Sequence, residues 1–163
     1  MKIADIRNFD QQLKFIAAIL CNFIYGGSKM KGYRLSILRH GMTEANAKGI
    51  YIGKTDTPLS DKGAAQLAAK MDEFDYPTVH RVYSSPLRRC TETAEILFPH
   101  TQICVVDDLR ELDFGIFENK SVDELVKRED YMKWIKGGKD SRPPQGESLQ
   151  ELTARTYKAL HEI

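Results

Sequence analysis

The run from Arg34 to Asn46, RLSILRHGMTEAN, decides how the rest of the chain is read. Arg34 to Leu38 is a short apolar run that reads as a strand, and Gly41 ends it by letting the backbone turn tightly. Arg39 and His40 therefore sit where a strand gives way to a loop, the edge of an α/β sheet at which ligands bind. Arginine offers a planar fork of donors that fits phosphate oxygens and keeps its charge at any working pH. A neutral imidazole beside it can attack phosphorus and form a covalent phosphoenzyme. Asn46 adds a neutral donor for a phosphate oxygen.

Outward from this run, short apolar stretches alternate with helical patterns, as in an α/β domain. Ser60 is placed to cap a helix carrying Ala64, Leu67, Ala68, Met71 and Phe74 at helical spacing. Arg81 to Ser84 reads as a second strand. Ser85 then suits an N-cap and Pro86 a first helical position, with Leu87, Cys90, Ala94 and Leu97 as the buried stripe and Pro99 as the stop. Gln102 to Val106 reads as a third strand, Ser121 to Trp134 as a helix, and Gly137 to Gly146 as a Gly- and Pro-rich loop. A capping box, Ser148 with Glu151, opens a last helix that continues to Ile163.

Two later segments add chemistry at strand edges. In Tyr83-Ser84-Ser85-Pro86-Leu87-Arg88-Arg89 a pair of arginines falls in the first turn of a helix, where free N–H groups and the helix dipole favour an anion. Leu109-Arg110-Glu111-Leu112-Asp113-Phe114-Gly115 follows the third strand and supplies a carboxyl. A glutamic acid with a raised pKa can protonate an alkoxide leaving group. Taken singly, each of these features is most often an ordinary surface residue. Their recurrence in order changes that reading.

Together the three segments resemble the histidine phosphatase (phosphoglycerate mutase-like) superfamily, from about Tyr33 to the last residue. Leu38 to Asn46 is similar to the signature around the family's nucleophile. Ser84 to Arg89, followed by Thr93-Ala94, resembles its second phosphate-binding segment, and Leu109 to Gly115 the segment bearing its proton donor. Smaller matches are Gly53, Asp56-Thr57-Pro58-Leu59-Ser60 with Gly63, and Pro143 to Ser148. The resemblance implies a three-layer α/β/α fold with a mostly parallel sheet. It assigns His40 as nucleophile, Glu111 as acid and base, Arg39, Arg89 and Asn46 as phosphate ligands, Gly53 as a substrate contact, and Arg88 as a solvated neighbour. It implies no metal and no cofactor.

The same resemblance implies a phosphomonoester hydrolase acting on a small phosphorylated metabolite. The Asp56 to Ser60, Phe114 to Glu118 and Pro143 to Ser148 segments are most similar to alpha-ribazole phosphatase-like and broad-specificity members, which makes alpha-ribazole 5'-phosphate a candidate substrate. A phosphomutase and a non-catalytic phosphate-binding module are the alternatives. Family members carry a second pocket histidine in a late apolar-His-Gly segment, and this sequence has none. His80, His100 and His161 read as surface residues. The expectation is therefore a domain whose last strand is missing, with exposed sheet edge and weak turnover, or else a degenerate relative.

The chain of 163 residues fits one domain, and 42% apolar with 29% charged residues describes a globular protein. A net charge of +1 gives no overall pull toward nucleic acid or anionic membrane. Cys21, Cys90 and Cys104 form no disulfide or zinc pattern, which sets a cytoplasmic expectation. Cys104 and Arg110 have the spacing of cysteine-dependent phosphatases, but Asp107 and Asp108 between them would repel a dianion. Residues 1–32 stand apart as an extension to the 33–163 domain. Their apolar run Phe15 to Tyr25 is too short for a membrane-spanning helix. It reads as a stretch upstream of a start at Met30, with a docking helix and a membrane anchor as weaker readings.

Overall fold

The computed structural model describes residues 18–24, 32–76 and 78–163. Strands β1 (Ala18–Ile24), β2 (Gly32–Leu38), β3 (Arg81–Ser84) and β4 (Ile103–Val105) form one sheet in the order β2-β1-β3-β4. β3 and β4 are parallel, while β1 is antiparallel to both β2 and β3, so three of the four strands share one direction. The expected α/β class and its prevailing strand direction hold.

The N-terminal run is where the structure departs most from expectation. Ala18–Ile24 is neither a docking helix nor an appendage; it is a strand hydrogen-bonded on both sides inside the sheet. The run is rich in Ile and Phe, and a short apolar run of this length reads equally as buried strand or helix, because periodicity alone does not separate them. The expected boundary at residue 32 thus leaves outside the domain a strand that belongs to its sheet. The expectation of a start at Met30 falls outside the described residues.

Helices cover both faces. On one face, α2 (Asp61–Glu73) and α3 (Arg88–Leu97) pack Leu67, Ala94 and Leu97 against Val82 and Leu38. On the other, Ala159 and Leu160 of α6 (Leu149–Glu162) pack with Tyr83 and Leu109. Leu35 and Ile37, on the opposite side of β2 from Leu38, are exposed. A second core lies under the loops that carry the site. There Tyr51, Phe114, Phe117, Tyr131 and Trp134 interlock, with Phe117 edge-on to Tyr131 at 5.5 Å between centroids.

Two of the expected helices need correction. α3 begins at Arg88, not Pro86: Leu87 is the extended N-cap residue and makes no side-chain cap. Asp56 caps from outside instead, its Oδ1 accepting the Arg88 N–H at 2.7 Å. A cap drawn from 32 residues upstream leaves no local signature. The stretch Ser121 to Trp134 is two helices, α4 (Val122–Leu125) and α5 (Glu129–Lys136). Arg128 is extended at the break and its guanidinium folds onto Asp130. By contrast, the Ser60 cap and the Ser148–Glu151 capping box form as read. A further box, Thr43 with Asn46, opens a short helix α1 (Glu44–Ala47) inside what reads from sequence as a loop.

Gly63 links the fold to the site. A Cβ there would lie 2.1 Å from the Met42 carbonyl oxygen, so only glycine lets α2 press against the loop after His40. The Ser60 N–H and hydroxyl both donate to the same oxygen, at 2.9 and 3.1 Å. The supporting core should be equally intolerant. Phe117→Ala, at a position with no exposure, is expected to cost about 3–5 kcal/mol, read as a lower midpoint in urea-induced unfolding.

Candidate active site

His40 leaves β2 with its ring half-buried. Its Nδ1 lies 2.7 Å from the Gly41 carbonyl oxygen. A carbonyl only accepts, so Nδ1 carries the proton and Nε2 keeps its lone pair. Burial lowers the imidazole pKa to about 4, outweighing the Gly41 bond that raises it, and the positive charges of Arg89 and Arg39 lower it further. His40 is thus a neutral base at neutral pH, the form a nucleophile needs.

Arg89, in the first turn of α3, is only 2% exposed. Its Nη2 donates to the Gly53 carbonyl at 2.7 Å and its Nη1 to the Thr55 carbonyl at 3.0 Å. These bonds fix the guanidinium without neutralising it. One turn later, the Thr93 hydroxyl donates to the Arg89 carbonyl at 2.6 Å and accepts the Gly41 N–H at 2.9 Å. The helix carrying Arg89 is thereby tied to the turn carrying His40. Arg88 is exposed and paired with Glu92, as expected of a solvated residue.

Glu111 follows β4. Burial raises its carboxyl pKa, against the opposing pull of the Leu112 N–H and of Arg89, Arg39 and Arg155. The Leu112 N–H donates to Oε1 at 2.9 Å, which leaves Oε2 to carry a proton. The backbone beneath it is held by Arg155 of α6. That guanidinium donates to the carbonyls of Asp108, Arg110 and Glu111, and grips Glu147 through two bonds of 2.6 and 2.8 Å.

Arg39, His40, Asn46 and Glu111 line one cavity, flanked by Ile50, Ile52, Phe114 and Val122. Arg89 sits behind this wall, within electrostatic reach of both His40 and Glu111. Asn46 Oδ1 accepts the Thr43 N–H at 3.1 Å, so the part of its amide left over for a ligand is the NH₂. Gly53 requires a correction. It is buried away from the cavity wall; its N–H meets Glu118 and its carbonyl meets Arg89, so it serves Arg89 rather than substrate. Cys104 does not line the cavity, and burial pushes the Cys90 thiol up to about 11, so neither supplies a thiolate there. His80, His100 and His161 are exposed.

Reading the sequence misses Thr93, Glu118, Glu147 and Arg155 as site residues. Thr93, Glu118 and Arg155 each bond groups more than 40 residues away, and Glu147 takes its place from Arg155, so no local spacing marks them. Thr93, Glu118 and Glu147 lie inside stretches that stand out in the sequence only for their resemblance to the family, which gives them no role.

Residues 35–163 match the sequence profile of the Histidine phosphatase superfamily (branch 1). The chain belongs to that superfamily. It is 37% identical over 134 residues to a protein named Probable phosphoglycerate mutase GpmB from Escherichia fergusonii, the match covering 76% of this chain and 60% of that one. Among solved structures, the alpha-ribazole phosphatase from Shigella flexneri superposes with a TM-score of 0.66 at 26% identity, covering 75% of this chain and 62% of that one. The protein TTHB049 from Thermus thermophilus gives 0.64 at 30% identity, covering 77% and 69%. The chain spans about 60% of the length of the curated relatives it matches. Among the described residues no helix is long and apolar enough to cross a membrane.

For this histidine phosphatase domain the two shifts set a pH profile. With His40 as the expected nucleophile and Glu111 as the expected acid, turnover would require His40 unprotonated and Glu111 protonated. kcat/KM for an aryl phosphate, corrected for the substrate's own ionisation near ~6, should fall on the acid side around a pKa of about 4. The alkaline limb should lie above the ordinary carboxylate range. Stability carries the opposite mark of Glu111. A raised carboxyl pKa costs stability as pH climbs past the unfolded value of 4.5. Glu111→Gln should therefore lose roughly a hundredfold or more in rate and yet melt no lower than wild type at neutral pH.

Proposed function

We propose that this domain hydrolyses small phosphomonoesters through a phosphohistidine on Nε2 of His40. The observation that carries the reading is that Arg39, His40, Asn46 and Glu111 line one hollow. A neutral imidazole with its Nδ1 proton held by Gly41 faces a carboxyl whose pKa is raised. Arg39 and Asn46 hold the phosphoryl group from the cavity wall, and Arg89 adds its charge from just behind it. Nε2 attacks phosphorus as the ester P–O bond breaks, and Glu111 gives its proton to the departing oxygen. Water, deprotonated by the same carboxylate, then attacks phosphorus and breaks the P–N bond, releasing orthophosphate and restoring both groups. The fixed cations carry the charge, which gives a metal no required part.

The apolar flank of Ile50, Ile52, Phe114 and Val122 favours a leaving group with apolar surface over a second anionic group. Desolvating a carboxylate there would bring no new cation to meet it. A nucleoside-like ester such as alpha-ribazole 5'-phosphate suits that flank. The mutase reading draws on the relatives named phosphoglycerate mutase, and product analysis separates the two.

Rapid-quench labelling with a radiolabelled phosphomonoester tests the proposal. An acid-labile, base-stable label should appear on the wild-type chain and vanish in His40→Ala. Label ending in orthophosphate supports a hydrolase, and label ending in an isomeric phosphoester a mutase. A wild-type chain that binds orthophosphate but never takes up label would overturn both in favour of a binding module.

A further inference from the structure

Behind Arg89 lies a carboxylate that does not itself line the cavity. Glu118 accepts hydrogen bonds from the backbone N–H groups of Gly53, Lys54 and Thr55, from the Thr55 hydroxyl at 2.6 Å, and from the Phe114 N–H at 3.1 Å. Three successive N–H groups converging on one anion make a nest, the arrangement that elsewhere grips a phosphate. Here the chain fills it with its own side chain. When amides of residues 53–55 turn toward Glu118, carbonyls of the same loop face the other way. Those of Gly53 and Thr55 are the two that bind the Arg89 guanidinium. The loop is thus a two-sided plate with a carboxylate on one face and a guanidinium on the other.

Steric fit points the same way. A Cβ on Gly53 would sit 1.8 Å from the Leu112 carbonyl oxygen and 2.6 Å from Glu118 Oε1. The plate is therefore pressed flat against the stretch of chain leading from Glu111, and its fit depends on Glu118 remaining an acceptor on both oxygens.

We propose that Glu118 is a positioning residue for phosphate binding, acting through the loop 53–55 to fix the direction of the Arg89 guanidinium. The inference rests on the phosphatase reading for its purpose, though not for its geometry. Glu118→Gln keeps size and shape but replaces one acceptor oxygen with a donor aimed at N–H groups. The loop must then lift, and Arg89 loses its two carbonyls.

Two measurements on the full chain test this. The first is exchange of the Arg89 guanidinium N–H protons, followed by NMR. These should be protected in the wild type and exposed in Glu118→Gln. The second is orthophosphate affinity, expected to weaken by roughly ten- to a hundredfold, as for outer partners that orient a functional ligand elsewhere. In an Arg89→Lys background, Glu118→Gln should cause no further weakening, because its route to phosphate is already cut. Additive losses would mean general loosening of the fold and would overturn the proposal, as would unchanged guanidinium exchange. Should Glu118→Gln fail to fold, Thr55→Val removes one bond to the carboxylate and should give a smaller change in the same direction. A wild-type chain that binds no orthophosphate would sink the phosphatase reading, while the exchange measurement would still decide whether Glu118 directs Arg89.

Discussion

A guanidinium buried to 2% exposure is the constraint around which this domain is arranged. Removing such a charge from water is costly unless every surrounding group compensates. Arg89 is compensated mainly by oriented carbonyls, which stabilise the cation and leave its charge available to a ligand. Holding Gly53 and Thr55 in that orientation requires Glu118, and holding the Arg89 backbone requires Thr93. Thr93 in turn fixes the Gly41 amide, and Gly41 holds the tautomer of His40. The nucleophile and the buried cation are thus set by one continuous chain of bonds.

The sheet supplies the distance between them. Ala18 of β1 pairs with Leu38 on one side and Ser84 on the other. The ends of β2 and β3 are therefore two strand spacings apart, about 10 Å. His40 lies two residues past the end of β2, and Arg89 five past the end of β3. His40 lines the hollow, and Arg89 lies behind its wall. If β2 and β3 were direct neighbours, the two groups would crowd into one spacing and leave little room for a phosphoryl group. The central place of β1 is what keeps the ends of β2 and β3 apart.

What the sequence disclosed follows the range of the forces involved. Helices closed by their own residues, such as those beginning after Ser60 and Ser148, were legible because cap and capped amide lie three residues apart. The helix carrying Arg89 was misplaced by two residues because its cap comes from Asp56. Arg39, His40 and Glu111, which the fold brings to one cavity, stood out in the sequence because their expected chemistry is carried by residue type within short segments at strand ends. Glu118 and Arg155 were not, since each draws its meaning from backbone groups more than 40 residues away. Gly53 stood out only through the family resemblance, and its close approach to Leu112 and Glu118 left no mark in the sequence. The strand Ala18–Ile24 was hidden because an apolar run of that length carries no signal of which structure it joins.

The charge state of the hollow ties these pieces into one electrostatic design. Arg39 and Arg89 keep their charge at every relevant pH. Burial pushes His40 toward its neutral form and Glu111 toward its protonated form, so both reacting groups approach neutrality while both cations persist. On the phosphatase reading, both shifts leave the positive charge of the arginines as the complement of a phosphate dianion. Burial achieves both shifts, but it equally strips Arg89 of solvent. The carbonyl plate beneath Arg89 resolves that conflict, because it solvates a cation with fixed dipoles while leaving the neighbouring imidazole and carboxyl dry.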